Sequence, residues 1–167
     1  GGHEPDETER HAGGADRVAA MAREIRQIGL KDGYRVRERT IHHYAAGLAH
    51  ALRGDVDAAE ASFRRALYAP GEGYSRINHE LAALLLEQGR ADEAVGLLEA
   101  AVGGPLHPAS ISHTELWLRL GRAYESAGRK GDAARAYERV LTAWSDPGPA
   151  GRERAQAVQT RLERLGS

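Results

Sequence analysis

Residues 117–141 read WLRLGRAYESAGRKGDAARAYERVL. Ahead of Gly128, Trp117, Leu120, Gly121 and Tyr124 recur at helical steps of three and four. Behind it, Ala133, Tyr137 and Val140 do the same. Such spacing predicts two short amphipathic helices joined at a glycine, which suits the left-handed position just past a helix end. Two upstream segments follow the same plan, around Leu52-Arg53-Gly54-Asp55 and Glu87-Gln88-Gly89-Arg90. The three glycines are spaced 35 and then 39 residues apart. After the earlier glycines come Ala58-Ala59-Glu60, Phe63 and Ala66-Leu67, and then Glu93-Ala94, Leu98 and Ala101-Val102. Seven residues before each glycine stands a small residue: Gly47, Ala82 or Gly121. Self-similarity at this period is the mark of a repeat architecture.

The small residues carry a steric expectation. Two antiparallel helices approach closely only where small side chains face each other. Gly47, Ala82 and Gly121 are therefore expected against Ala59, Ala94 and Ala133 of the second helices. The larger Phe63, Leu98 and Tyr137 are expected at the seam with the following unit. Breakers part the units at Pro70-Gly71-Glu72-Gly73, Gly103-Gly104-Pro105 and Pro147-Gly148-Pro149. Repeats are thus expected at about 40–72, 73–107 and 110–147. Ser112 and Glu115 read as a capping box opening the third unit.

Outward from the repeats, residues 149–165 predict a closing helix with Pro149 in its first turn. Ala155, Val158, Leu162 and Leu165 form its apolar face, and Arg152, Arg154, Gln159, Arg161 and Arg164 a polar one. A helix of that kind can cap the end of a stack of repeats. At the other end, Val18, Met21 or Ala22, Ile25 and Ile28 predict a helix over 15–28, stopped by Gly29 and the Lys31-Asp32-Gly33 turn. Residues 1–14 are polar, without periodicity, and are expected to be a disordered arm or a cloning remnant. The chain opens Gly1-Gly2-His3, which suggests processing or origin in a longer protein.

Composition supports the helical reading. The chain has 167 residues, 41% of them hydrophobic but only 5% aromatic. Alanine carries much of the apolar share, and alanine is the strongest helix former, so composition points away from an all-β fold. Of the 23 basic residues only Lys31 and Lys130 are lysine, the usage of a GC-rich bacterial genome. With 24 acidic residues the net charge is −1, against a nucleic-acid module driven by bulk positive charge. There is no cysteine, hence no disulfide and no thiolate chemistry. No apolar run approaches the ~20 residues that span a bilayer, and no signal pattern opens the chain, so the expected location is cytoplasmic.

The residues around Gly128 resemble the tetratricopeptide repeat (TPR) family. Trp117, Leu120, Gly121, Tyr124, Gly128, Ala133, Tyr137 and Leu141 stand where that family places its signature residues. The first unit departs with His43 and His50 at the usual aromatic positions, and the second with Asn78 and Leu85. The resemblance covers about residues 40–147. It implies an all-α fold: a right-handed superhelix of three helix-turn-helix repeats, with an N-terminal helix and a C-terminal capping helix, in one domain over 15–167. It further implies a concave groove lined by the first helix of each repeat. Carried over, those positions are Ile41, Tyr44, Leu48 and Leu52; then Arg76, His79, Ala83 and Glu87; then Leu118, Arg119, Arg122 and Ser126. The carboxylate clamp of the family's chaperone-binding members is absent: Tyr44 and Leu48 stand at its first-unit positions, and Glu80 replaces the second-unit Asn.

No catalytic constellation stands beside that scaffold. The sequence holds no Gly-x-Ser-x-Gly elbow, phosphate-binding loop or HExxH motif. His43 and His50 share a helix face at about 10 Å, too far for one metal without further ligands. The expectation is therefore a protein without cofactor or metal that is not an enzyme. It is expected to bind a partner peptide or helix through Ile41, Tyr44, Leu48, Leu52, Arg76, His79, Arg119 and Arg122. Self-association through an exposed end is a further expectation. The alternative is a regulatory or ligand-sensing segment of a larger bacterial signalling enzyme or transcription regulator.

Overall fold

The structure, a computed structural model, describes residues 7–30, 36–67, 74–104, 111–146 and 148–166. These form eight helices: α1 (Glu7–Gly29), α2 (Val36–Leu52), α3 (Val56–Ala66), α4 (Tyr74–Glu87), α5 (Ala91–Gly103), α6 (His113–Ser126), α7 (Lys130–Ala143) and α8 (Pro149–Leu165). No strand occurs among the described residues. The expected turn at 31–33, the break at 70–73, Pro105, Pro147 and the first six residues lie outside them. Two compact units divide the chain, 1–77 and 78–167, the division falling within α4.

Three times the chain turns between helices in the same way. Gly54, Gly89 and Gly128 adopt φ of +75°, +74° and +72°, and among the described residues they are the positions with positive φ. The next amide reaches back five residues: Asp55 to the His50 carbonyl at 2.9 Å, Arg90 to Leu85 at 2.9 Å, Arg129 to Tyr124 at 2.8 Å. This is the Schellman closure, which satisfies carbonyls left open at a helix end. A side chain at such a φ meets its own backbone, so glycine stands there for a conformational reason.

In the first unit, α2 and α3 form a hairpin and α1 packs against α2. Asp16 of α1 meets Arg53 at 2.7 Å, and Arg26 of α1 acts electrostatically on His43 of α2, so the two helices run antiparallel. Over 13–29 of α1, Ala15, Ala22 and Gly29 are buried, while Val18 and Ile25 are half-buried and Met21 and Ile28 are exposed. The apolar stripe expected on α1 therefore selects Ala22 rather than Met21, and Ile28 stays outside. The helix also begins at Glu7, earlier than the expected residue 15.

Within the hairpin the structure corrects the expected contacts. A methyl carbon at Gly47 would lie 2.5 Å from Cδ1 of Phe63. In the second unit, one at Gly121 would lie 2.5 Å from Cε1 of Tyr137. Phe63 and Tyr137 thus lie over the glycine of their own hairpin; they are not reserved for the seam with the next unit. Only a residue without a side chain lets an aromatic ring sit on the helix backbone.

The core of the second unit runs through Leu81, Leu85, Leu98, Leu116, Leu120, Tyr137 and Val140, all at most 1% exposed. Asn78 is buried at a position that the family fills with an aromatic residue. Its Nδ2 donates to the Leu97 carbonyl at 3.0 Å and ties α4 to α5. Ser112 accepts the Glu115 amide at 3.2 Å, the expected cap of α6. Pro149 stands in the first turn of α8, as expected. Among the described residues no helix is long and apolar enough to cross a membrane.

Candidate functional site: a charged groove in the second unit

An open cavity of about 650 Å³ lies between α4, α6 and α8. Ala83, Leu86 and Glu87 of α4 form one wall, and Arg119, Arg122, Glu125 and Ser126 of α6 the floor. Arg161 of α8 closes the far side. Helical periodicity explains the floor. Positions 119, 122 and 126 recur at steps of three and four and share one helix face, beside the buried stripe of Leu116, Leu120 and Ala123.

The cations of the groove are not equivalent. Arg161 Nη1 donates to Glu125 Oε2 at 2.9 Å, and the same oxygen accepts the Tyr137 hydroxyl at 2.7 Å. That arrangement joins α6, α7 and α8. Burial and the Glu125 carboxylate together push the Tyr137 phenol well above its usual range, so it remains a donor. Arg119 and Arg122 make no ion pair or side-chain hydrogen bond among the described residues. Arg119 is half-buried, and burial lowers its pKa from the usual arginine value. Glu80, Glu115 and Glu87 act in the opposite direction, while Arg122 adds to the lowering. Arginine is basic enough to stay charged throughout.

A second hollow, of about 640 Å³, lies between the start of α6 and α7. Its wall includes Trp117, with the Arg139 guanidinium 4.7 Å from the ring centroid.

Of the residues expected from the family pattern, Arg119, Arg122, Ser126, Ala83 and Glu87 all line the first cavity. Leu118 does not; it is 3% exposed and belongs to the core. His79 is 5% exposed, with Nδ1 3.5 Å from a Glu80 carboxylate oxygen. Ile77, Asn78, His79, Leu81, Ala82, Leu84 and Leu85 bury a wide arc of α4, and the half-buried face passes through 80, 83 and 86. Glu80, one position along the helix from His79, is the residue on that half-buried face. Arg76 is exposed and belongs to the first unit.

Leu86, Glu125 and Arg161 line the cavity without being expected there. Periodicity puts Arg161 on a solvated face, yet the capping helix stands beside α6, where a further repeat would begin. In the first unit, Ile41, Tyr44 and Leu48 are half-buried and Leu52 is 46% exposed. The Tyr44 ring lies 6.0 Å from that of Phe63.

Comparison with known proteins bears on the fold. The solved structure of YrrB, described as a TPR protein with an unusual peptide-binding site, superposes with a TM-score of 0.60 at 19% identity. The match covers 90% of this chain and 71% of that one. A structure of MamA from AMB-1 gives a TM-score of 0.58 at 20% identity, covering 93% and 82%. No curated protein matches. The family model described as "Tetratricopeptide repeat" matches residues 27–75 and 79–150, more than half of the sequence. With the three glycine-closed helical hairpins, this places the chain in the tetratricopeptide-repeat family.

Proposed function

We propose that this chain is a non-enzymatic protein-interaction module that holds a peptide or helix of a partner in the groove between α4, α6 and α8. The observation that carries the reading is the open cavity of about 650 Å³, whose floor presents Arg119 and Arg122 without a direct ion pair among the described residues. A cleft lined mainly by charged and polar side chains suits a polar chain better than a small hydrophobic molecule. The neighbouring Ala83 and Ser126 are small, so the groove has room beside its cations.

Filling that room tests the reading. Ala83→Trp and Ser126→Trp replace half-buried or exposed groove residues and should leave helix content unchanged by circular dichroism. A partner captured from a lysate of the source by the unaltered chain should be lost with either variant. A partner retained at equal yield by both folded variants would place binding elsewhere.

A further inference from the structure

The closing helix α8 is held shallowly. It packs on α7, and its apolar residues Ala155, Val158, Leu162 and Leu165 recur at steps of three and four. Among the described residues of α8 only Val158 is fully buried, whereas α7 buries Ala133, Ala136, Tyr137 and Val140. Two arginines complete the hold from α8 to α6. Arg154 Nη2 donates to Glu115 Oε2 at 2.6 Å, with the same guanidinium 4.9 Å from the centroid of the Trp144 ring. Arg161 Nη1 donates to Glu125 Oε2 at 2.9 Å. Both pairs are partly open to water, the arginine side chains being 53% and 41% exposed. Such pairs add little stability, but they fix register. Arg154, Val158 and Arg161 stand at i, i+4 and i+7 on one helix face, and the order of the two pairs makes α8 run parallel to α6. Arg119 and Arg122 stand between Glu115 and Glu125 in sequence, so α6 is balanced in sign and recognition rests on paired positions rather than net charge.

We propose that the face of α6 and α7 now covered by α8 is a second docking surface, for an amphipathic helix of a partner that carries two arginines seven residues apart with an aliphatic residue between them. α8 is the internal competitor for that surface. Local opening begins with the elements that bury least, and α8 buries less than α6 or α7. The surface goes beyond the groove reading above, because the groove floor of Arg119 and Arg122 does not hold α8. Arg161 links the two, since it also lines the groove, so replacing α8 by a partner helix alters the far side of the groove as well. Only five residues, 144–148, join α7 to α8, and so short a tether gives α8 a high effective concentration. A competitor therefore needs either a loosened α8 or more buried apolar surface than one valine supplies.

A fluorescent peptide with the sequence of residues 148–166 is the probe, titrated by anisotropy against the full chain and against its Arg154→Glu/Arg161→Glu variant. In that variant α8 meets Glu115 and Glu125 with like charge. Its α8 amides should lose protection from hydrogen exchange while those of α6 and α7 keep theirs. The peptide should bind the variant about tenfold or more tighter than the unaltered chain, whose own α8 competes. Peptides carrying Arg154→Glu with Arg161→Glu, or Val158→Asp, should bind neither chain, and these changes cannot unfold the protein. A released α8 without peptide binding up to millimolar concentration would overturn the inference, as would equal affinity for the Arg and Glu peptides. So would α8 amides that stay as protected as those of α7 in both chains. Dimerisation of the unaltered chain by exchange of α8, seen in sedimentation, would give the surface to a second copy and overturn the partner assignment.

Discussion

Alanine at Gly47 would place a methyl carbon 2.5 Å from Cδ1 and 2.6 Å from Cε1 of Phe63. On an isolated helix the same change would stabilise by about 1 kcal/mol, because alanine is the better helix former. Here the clash reverses the sign. The ring or the helix must shift, at a cost of roughly 1–3 kcal/mol. The three hairpins contain their own control. The register that sets Gly47 under Phe63 and Gly121 under Tyr137 sets Ala82 opposite Leu98, and both of the latter are fully buried. An aromatic ring goes with glycine and a leucine with alanine. Gly47→Ala with Phe63→Leu should therefore recover most of the stability lost by Gly47→Ala alone. Urea unfolding of both single variants and the double variant should give a coupling of about 1–2 kcal/mol. Strict additivity would mean that the two side chains do not share one space.

Among the elements, the α1–α2–α3 group responds to acid. His43 lies on α2 with Arg26 on α1, Arg65 on α3 and His42 beside it, the two imidazole rings 4.0 Å apart. Burial first, then these neighbouring positive groups, lower its pKa. The folded state thus prefers the neutral ring, and the unfolded chain binds the proton more readily. The stabilising contribution is complete above the ordinary histidine value of about 6.5 and is lost as the pH falls through the depressed folded value. Hydrogen exchange of α2 amides should quicken as the pH falls from about 6.5 through that depressed value and then level off, after correction for intrinsic exchange. His43→Gln should flatten the dependence; an unchanged profile in that variant would assign it to other groups. The hairpin turns around Gly54, Gly89 and Gly128 are legible in the sequence, because a left-handed closure demands glycine locally. The start of α1 is not, since residues 7–14 show no apolar period and contain Gly13 and Gly14, each costly in a helix. Nor is the Arg161–Glu125 pair, which spans 36 residues and exists only once α8 has docked. His79 and Glu80 show the same limit on one helix: adjacent positions differ by about 100° around the axis, so a one-residue error in the packing face exchanges a buried residue for one on the half-buried face.

For the whole chain, apolar exposure is unevenly divided. The large hydrophobic side chains most exposed among the described residues are Met21, Ile28, Leu30, Leu52 and Val56, all in the first unit. The second unit instead lines its cavity with arginine and glutamate. Net charge of −1 adds little repulsion between copies, so contact between chains is decided by local surface. In the first unit α1 packs on α2, whose Ile41, Tyr44 and Leu48 are half-buried. A tethered helix covers such a face at high effective concentration, which gives α1 the role of a lid over α2 as a proposal open to test. A chain beginning at Val36 would lack that cover. It should bind a hydrophobic dye or self-associate at micromolar concentration, by light scattering and sedimentation. Leu48→Glu in the shortened chain should reverse both effects, since it places a charge in the uncovered face. Met21→Lys with Ile28→Lys in the full chain should change neither helix content nor stability by more than about 0.5 kcal/mol, because these side chains already face water. A shortened chain that stays a folded monomer without dye binding would show that α1 does not serve as the cover of α2.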